Sequence, residues 1–299
     1  MKKRVLITGA TGMLGATLVE TFQNNYEVFA TGSSSNSLEH IKNYFKFDLG
    51  NSNFFELIDW AKPDIVIHCA ALTNGNYCDK NPEEALKING LSLKKIAETV
   101  SKRTHVIYIS TDAVFSNSMH KATEDNTVKP ESVYGKSKEL GEFFLNYSDI
   151  NYTIVRTTIV GLNRNKNKQG FAEWIINSSK AKNEITLFED VLFNPISIWN
   201  FAEQLEYIAK NQGLFNRKTF HVSGSEFCTK YDFGMKLLNE LDLPTESVKK
   251  GKILEFLGRA KRSTDQTLNC SLYEKIAGKK LPDLKKTIQE IKLHYNEKY

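Results

Sequence analysis

The sequence predicts an α/β fold built on a doubly wound parallel sheet, and three observations carry it. Short apolar runs recur through the first half of the chain, helical patterns separate them, and the rhythm stops near Gly161. Strands alternating with helices imply right-handed crossovers and a sheet covered on both faces, so runs such as Val5-Leu6-Ile7 are continuously apolar. Taken in order, Arg4 to Thr8 is the first strand. Glycines follow, then a helix marked by Leu14, Leu18, Val19 and Phe22 at helical spacing. Tyr26 to Thr31 reads as the second strand, Tyr44 to Asp48 as the third, and Ile65 to His68 as the fourth, after a Pro63-Asp64 turn. Asn81 as N-cap, Pro82 at the first helical position and Glu83-Glu84 in the first turn start a helix expected to reach about Arg103. Val106 to Ile109 is the fifth strand, and Ile154-Val155 centres the sixth. Beyond Asn163 to Lys168, a polar loop, the pattern is mostly helical with short strands, and this part should cap the carboxyl ends of the sheet.

Composition removes several classes. The chain has 299 residues, 40% hydrophobic and 25% charged, which suits two domains or one large α/β unit and excludes a disordered tail. No apolar run nears the length of a membrane helix, and MKKRVLITGATG lacks the apolar core of a signal peptide, so no membrane partner is expected. Cys69, Cys78, Cys228 and Cys270 stand far apart without a CxxC pair, which argues against a disulfide framework or zinc site and for the cytoplasm. The net charge of +5 lies mostly after residue 240, interspersed with acids, so no nucleic-acid partner is expected. Trp60, Trp174 and Trp199 read as core, and His68 as a packed or hydrogen-bonded residue at the end of a buried strand.

Chemistry begins at Gly9-Ala10-Thr11-Gly12-Met13-Leu14-Gly15, between the first strand and its helix. In a Rossmann-type crossover the first glycine makes the tight turn, the next admits a pyrophosphate, and the last packs helix on strand. The end of the second strand, where an acid would hold an NAD ribose, reads Thr31-Gly32-Ser33-Ser34-Ser35. Hydroxyls there favour NADP, with NAD the second candidate. Asp48 could bond the adenine amino group. Tyr134 and Lys138 lie one helical turn apart, and a cation beside a phenol lowers its pKa and suits it to exchange a proton with a carbonyl oxygen. This is the one YxxxK match among 12 tyrosines, and Thr111, ending the fifth strand, offers a hydroxyl to the same oxygen.

TGATGMLG, HCAALTN, NPEEALKIN, YISTDAVF, YGKSK, IVRTT and FNPISIWNFA together resemble extended short-chain dehydrogenases/reductases, and most closely the sugar-nucleotide reductases of the dTDP-4-dehydrorhamnose reductase group. The resemblance implies Thr111, Tyr134 and Lys138 as the catalytic set. Around the cofactor it implies Gly9, Thr11, Gly12, Met13, Leu14, Gly15, Ser33, Asp48, Leu49, Ala70 and Ala71, besides Tyr134 and Lys138. For a nucleotide-sugar substrate it implies Thr111, Val114, Arg156, Arg259 and Arg262. A nucleotide-binding domain over 1–160 plus roughly 192–222 would be completed by a smaller, mostly helical substrate-binding domain over roughly 161–191 and 223–299. A homodimer is a further expectation.

Departures refine this. Where the group reads STDYVFDG, this chain has STDAVFSN, and Ile159 stands where a sugar-contacting Trp is expected. Ala113 replaces the glutamate of the related dehydratases, which argues against dehydration. Thr17 stands where some reductases carry a magnesium-binding glutamate, so no metal is expected. The expected activity is NAD(P)H-dependent reduction of a nucleotide-linked 4-keto-6-deoxy sugar. The alternatives are a bifunctional epimerase/reductase, with Cys78 and His120 as acid and base, and a non-catalytic NADP-binding regulatory subunit like the β subunit of methionine adenosyltransferase.

Overall fold

The computed structural model describes residues 2–35, 41–50, 52–116, 119–165, 168–255 and 263–298. The first six strands are β1 (Arg4–Thr8), β2 (Glu27–Gly32), β3 (Asn43–Lys46), β4 (Ile65–His68), β5 (His105–Thr111) and β6 (Asn151–Thr157). With Lys218–His221 they form a seven-stranded parallel sheet in the order Lys218–His221, β6, β5, β4, β1, β2, β3. The order reverses beside β1, which opens a crevice at the carboxyl ends of β1 and β4.

Alternate residues of each strand enter opposite layers. Val5, Ile7, Ile65, Ile67 and Ile107 pack with α1 (Met13–Phe22) and the helix Ile198–Lys210, through Leu18, Phe22, Phe201 and Leu205. Leu6, Val66, Val106 and Tyr108 face Leu57 of α2 (Phe54–Ala61) and Leu93 and Ile96 of the helix Ser92–Thr99. Burying one such aliphatic side chain contributes roughly 1.5–3 kcal/mol. Trp60, Trp174 and Trp199 pack partly buried against the clusters.

Three boundaries differ from expectation. The third strand is Asn43–Lys46, because Asp48 turns the chain by accepting the Gly50 N–H at 2.8 Å. The helix after Asn81 stops at Thr99, where Val100 is extended, and is interrupted by a π-helical turn over Leu86–Leu91. The strand Lys218–His221 joins the sheet edge beside β6.

Beyond β6 the strands are short. Ile159–Val160 pairs with Ile196–Ser197, Leu192–Phe193 with Cys228–Thr229 and Asp265–Gln266, and Ile185–Phe188 with Val248–Gly251. Ile175, Phe193, Phe233, Leu237, Ile288 and Ile291 form a third core among them. No helix of the described residues is long and apolar enough to cross a membrane.

Candidate active site

The turn after β1 requires Gly9. Its φ of +71° is left-handed, and a Cβ there would lie 2.7 Å from Ala70 Cα, so a side chain would push the ends of β1 and β4 apart. Gly15 seats α1 on the same turn, since a Cβ would come within 2.1 Å of the Gly9 carbonyl oxygen. Gly12 is the N-cap of α1; no side chain caps the helix and no acid stands in its first turn. Unsatisfied N–H donors at the positive end of a helix fit a diphosphate. Thr11 is buried, with Oγ1 3.5 Å from Ser34 Oγ; Met13 is partly exposed, and Leu14 enters the core. Ser33 and Asp48 are exposed, whereas Leu49 is buried. Tyr44, absent from the expected set, donates to the Ser34 carbonyl at 2.6 Å and so covers the end of β2.

Behind this turn a one-way hydrogen-bond chain fixes the approach of Ala70 and its neighbour Ala71. The Ala70 N–H donates to Thr8 Oγ1 at 3.2 Å, and Thr8 Oγ1 lies 3.0 Å from His68 Nδ1. His68 Nε2 lies 3.2 Å from Ser92 Oγ, which donates to the Ile88 carbonyl at 2.6 Å. Complete burial, reinforced by Lys138, lowers the His68 pKa to about 3, so the imidazole is neutral, with its proton assigned to Nε2 by the network.

At the carboxyl end of β5, Thr111 meets Tyr134 of α3 (Val133–Asn146), a helix capped by Ser132 Oγ accepting from the Gly135 N–H at 3.0 Å. Burial raises the Tyr134 pKa, and the Thr111 hydroxyl beside it opposes the rise. Thr111 Oγ1 donates to Asp112 Oδ1 at 2.8 Å and accepts the Ala113 N–H at 3.2 Å, while Thr158 donates to Asp112 Oδ2 at 2.8 Å. Burial raises the Asp112 pKa; these hydroxyls and Lys230 oppose it. Lys138, one turn beyond Tyr134, is 2% exposed, with Nζ 4.3 Å over the Tyr108 ring centroid. Burial lowers its pKa to about 7, against the opposing fields of Glu142 and Cys69. The expected action of Lys138 on the phenol is not among the causes that shift Tyr134; those are burial, Thr111, Asp112 and Cys78.

Asn89, in the π-helical turn, closes the NPEEALKIN motif, which by itself gives it no role. Its side chain accepts the Leu72 N–H at 2.7 Å and donates to the Leu72 carbonyl and to Ser137 Oγ, each at 2.9 Å, and Ser137 donates to the Tyr134 carbonyl at 2.7 Å. A π turn at such a position often marks function, and the Asn89-Gly90 pair inside a helical pattern is its one sequence signal.

The expected substrate residues are placed unevenly. Val114 has no exposed surface and belongs to the core. Arg156 is 5% exposed and forms a bidentate pair with Glu142, at 2.9 and 2.7 Å, with His221 Nε2 3.4 Å away. Its guanidinium is therefore turned inward and held by Glu142. Arg259, Arg262 and Asn117 lie outside the described residues. Thr17 is buried and donates to the Met13 carbonyl at 3.2 Å. Cys78 is buried near Tyr134, whereas His120 pairs with Asp265 at 2.6 Å and packs edge-on against Phe227.

A seven-stranded parallel sheet with a glycine turn at its first crossover defines a Rossmann-type protein of the extended short-chain dehydrogenase/reductase kind. Within it, the chain belongs to the RmlD substrate binding domain family, whose model matches residues 2–296. A crystal structure of dTDP-4-dehydrorhamnose reductase from Bacillus anthracis in complex with NADP superposes with a TM-score of 0.87, at 25% identity, over 98% of this chain and 100% of that one. The spore coat polysaccharide biosynthesis protein SpsK of Bacillus subtilis is 29% identical over 81% of each chain. Methionine adenosyltransferase 2 subunit beta of Rattus norvegicus is 25% identical over 94% of this chain and 84% of its own.

Proposed function

We propose that the chain is an NADP-dependent reductase of a nucleotide-linked 4-keto-6-deoxy sugar, with Tyr134 as proton donor. One observation carries the reading: the half-buried Tyr134 phenol, beside the Thr111 hydroxyl, stands at the same end of the sheet as the glycine turn. The NADP complex of the Bacillus anthracis reductase supports the cofactor, and SpsK supports a place in polysaccharide synthesis. Hydroxyl-bearing Ser33 and Ser34 at the end of β2 suit a 2′-phosphate. The segments 161–191 and 223–299 would hold the sugar nucleotide over the carboxyl edge. A homodimer and the cytoplasm complete the reading; all four cysteines are free thiols.

The reduced nicotinamide ring supplies a hydride to the ketone carbon. A raised pKa keeps the Tyr134 proton in place at neutral pH, ready for the ketone oxygen. Thr111 donates its proton to Asp112 Oδ1 and turns it to the ketone oxygen, beside Tyr134, when a carbonyl arrives. Lys138, with an aromatic face beneath it, holds ribose hydroxyls.

The test is a panel of 4-keto nucleotide sugars with NADPH. The expected result is oxidation of NADPH by at least one, with Tyr134→Phe slower by about 10²–10⁴-fold and binding NADP⁺ as before. If no sugar is turned over and a pull-down returns one stoichiometric partner, the regulatory reading replaces this one.

A further inference from the structure

We propose that Lys168 is a cofactor-binding residue, supplying to the glycine turn the positive charge that meets the dinucleotide's diphosphate; this rests on the dinucleotide reading above. The Gly9–Gly15 motif contains no basic residue. Its N–H groups and helix dipole offer partial charges, while a diphosphate brings two full negative ones. Lys168 Nζ donates to the carbonyl of Thr11, inside the motif, at 3.4 Å. Its acceptor there is neutral, so among the described residues the ammonium brings an uncancelled charge to the turn. Arg164, by contrast, is paired with Glu20 of α1.

The neighbours of Lys168 are held in place. Glu173, 3% exposed in the first turn of the helix Phe171–Lys180, accepts the N–H of Gly170 at 2.9 Å and that of Asn163 at 2.9 Å. A Cβ on Gly170 would lie 3.3 Å from Met13 Sδ, so this backbone rests directly on the start of α1. One buried carboxylate thus ties residues on both sides of Lys168 beside the glycine turn. The lysine itself is exposed, with a flexible stem long enough to move from a carbonyl oxygen to a phosphate oxygen.

Calorimetric titration of wild type, Lys168→Ala and Lys168→Arg tests this with NADP⁺, with ADP-ribose, which keeps the diphosphate, and with adenosine 2′-monophosphate, which lacks it. Lys168→Ala should weaken NADP⁺ and ADP-ribose about tenfold, the scale of one charged hydrogen bond, and leave the monophosphate unchanged. Lys168→Arg should recover most of the loss. Equal NADP⁺ affinities in wild type and Lys168→Ala overturn the proposal, as does an equal loss for the monophosphate. A wild type that binds no dinucleotide overturns the cofactor reading itself.

Discussion

The two halves of α3 each hold a buried cation, and they treat it in opposite ways. In its second half Glu142 receives Arg156 through two oxygens and also accepts Ser110 Oγ at 2.6 Å. One turn earlier Lys138 is equally buried, yet its close neighbour is the ring of Tyr108. Glu142 is four residues from Lys138, the spacing at which helix ion pairs form, but its oxygens are committed to Arg156 and Ser110. It reaches Lys138 as a field only. A buried charge with a fitted counterion holds the fold together; a buried charge without one costs stability and is available to a ligand. Arg156 is read as the first kind and Lys138 as the second.

The comparison breaks most visibly at Arg156. Arg156→Leu leaves Glu142 buried without its cation and should cost about 3–5 kcal/mol, as should Glu142→Gln from the other side. Replacing both by leucine should cost less than either alone, because no charge is stranded. Urea unfolding followed by circular dichroism measures all three. Losses below about 1 kcal/mol would make the pair no better than a surface bridge and remove the contrast.

Lys138 sharpens it through pH. The ordinary lysine pKa is near 10.5 and the folded value about 7. Between these the unfolded chain binds more protons than the native one, so stability rises with pH across the window. The penalty of the buried ammonium is full below about pH 7 and gone above about 10.5. Lys138→Met has no such term. The variant should therefore be most favoured over wild type near pH 6, and the difference should shrink steadily toward pH 10. A difference that does not vary with pH would mean that Lys138 is solvated or paired in the native state.

Much of the site was legible because its signals are local. A strand, a glycine turn and a helix start lie within Arg4–Phe22. Tyr134 and Lys138 share one helix, so spacing alone places them together. What failed depends on partners distant in the chain. Arg156 looks like a substrate ligand until Glu142, on another element, is seen to occupy it. The π turn arises where Gly90 lies against Leu140, too close for a Cβ, and neither propensity nor periodicity reports that contact. The helix after it stops short of the expected end because Val100 closes it without the glycine or proline that marks most helix ends. The edge strand Lys218–His221 is four residues long with a polar start, too weak a pattern to find alone.

The smallest effect separates what Tyr108 does by its ring from what it does by its hydroxyl. The hydroxyl donates to the carbonyls of Asn89 and Lys138, both at 3.2 Å, and so ties the π turn to α3. The ring lies under the ammonium, an arrangement worth about 0.5–2 kcal/mol depending on desolvation. Tyr108→Phe keeps the ring and removes the two weak hydrogen bonds. It should cost about 1 kcal/mol and leave the pH window of Lys138 where it is. Tyr108→Leu removes the aromatic face, so the charged lysine loses a favourable contact, and the window should start at lower pH. Thermal melts of both variants from about pH 6 to 10, each made alone and in combination with Lys138→Met, isolate the shift as a difference of differences. If Phe and Leu behave alike, the ring does nothing for Lys138, and the cation in the first half of α3 is stabilised by something other than the face beneath it.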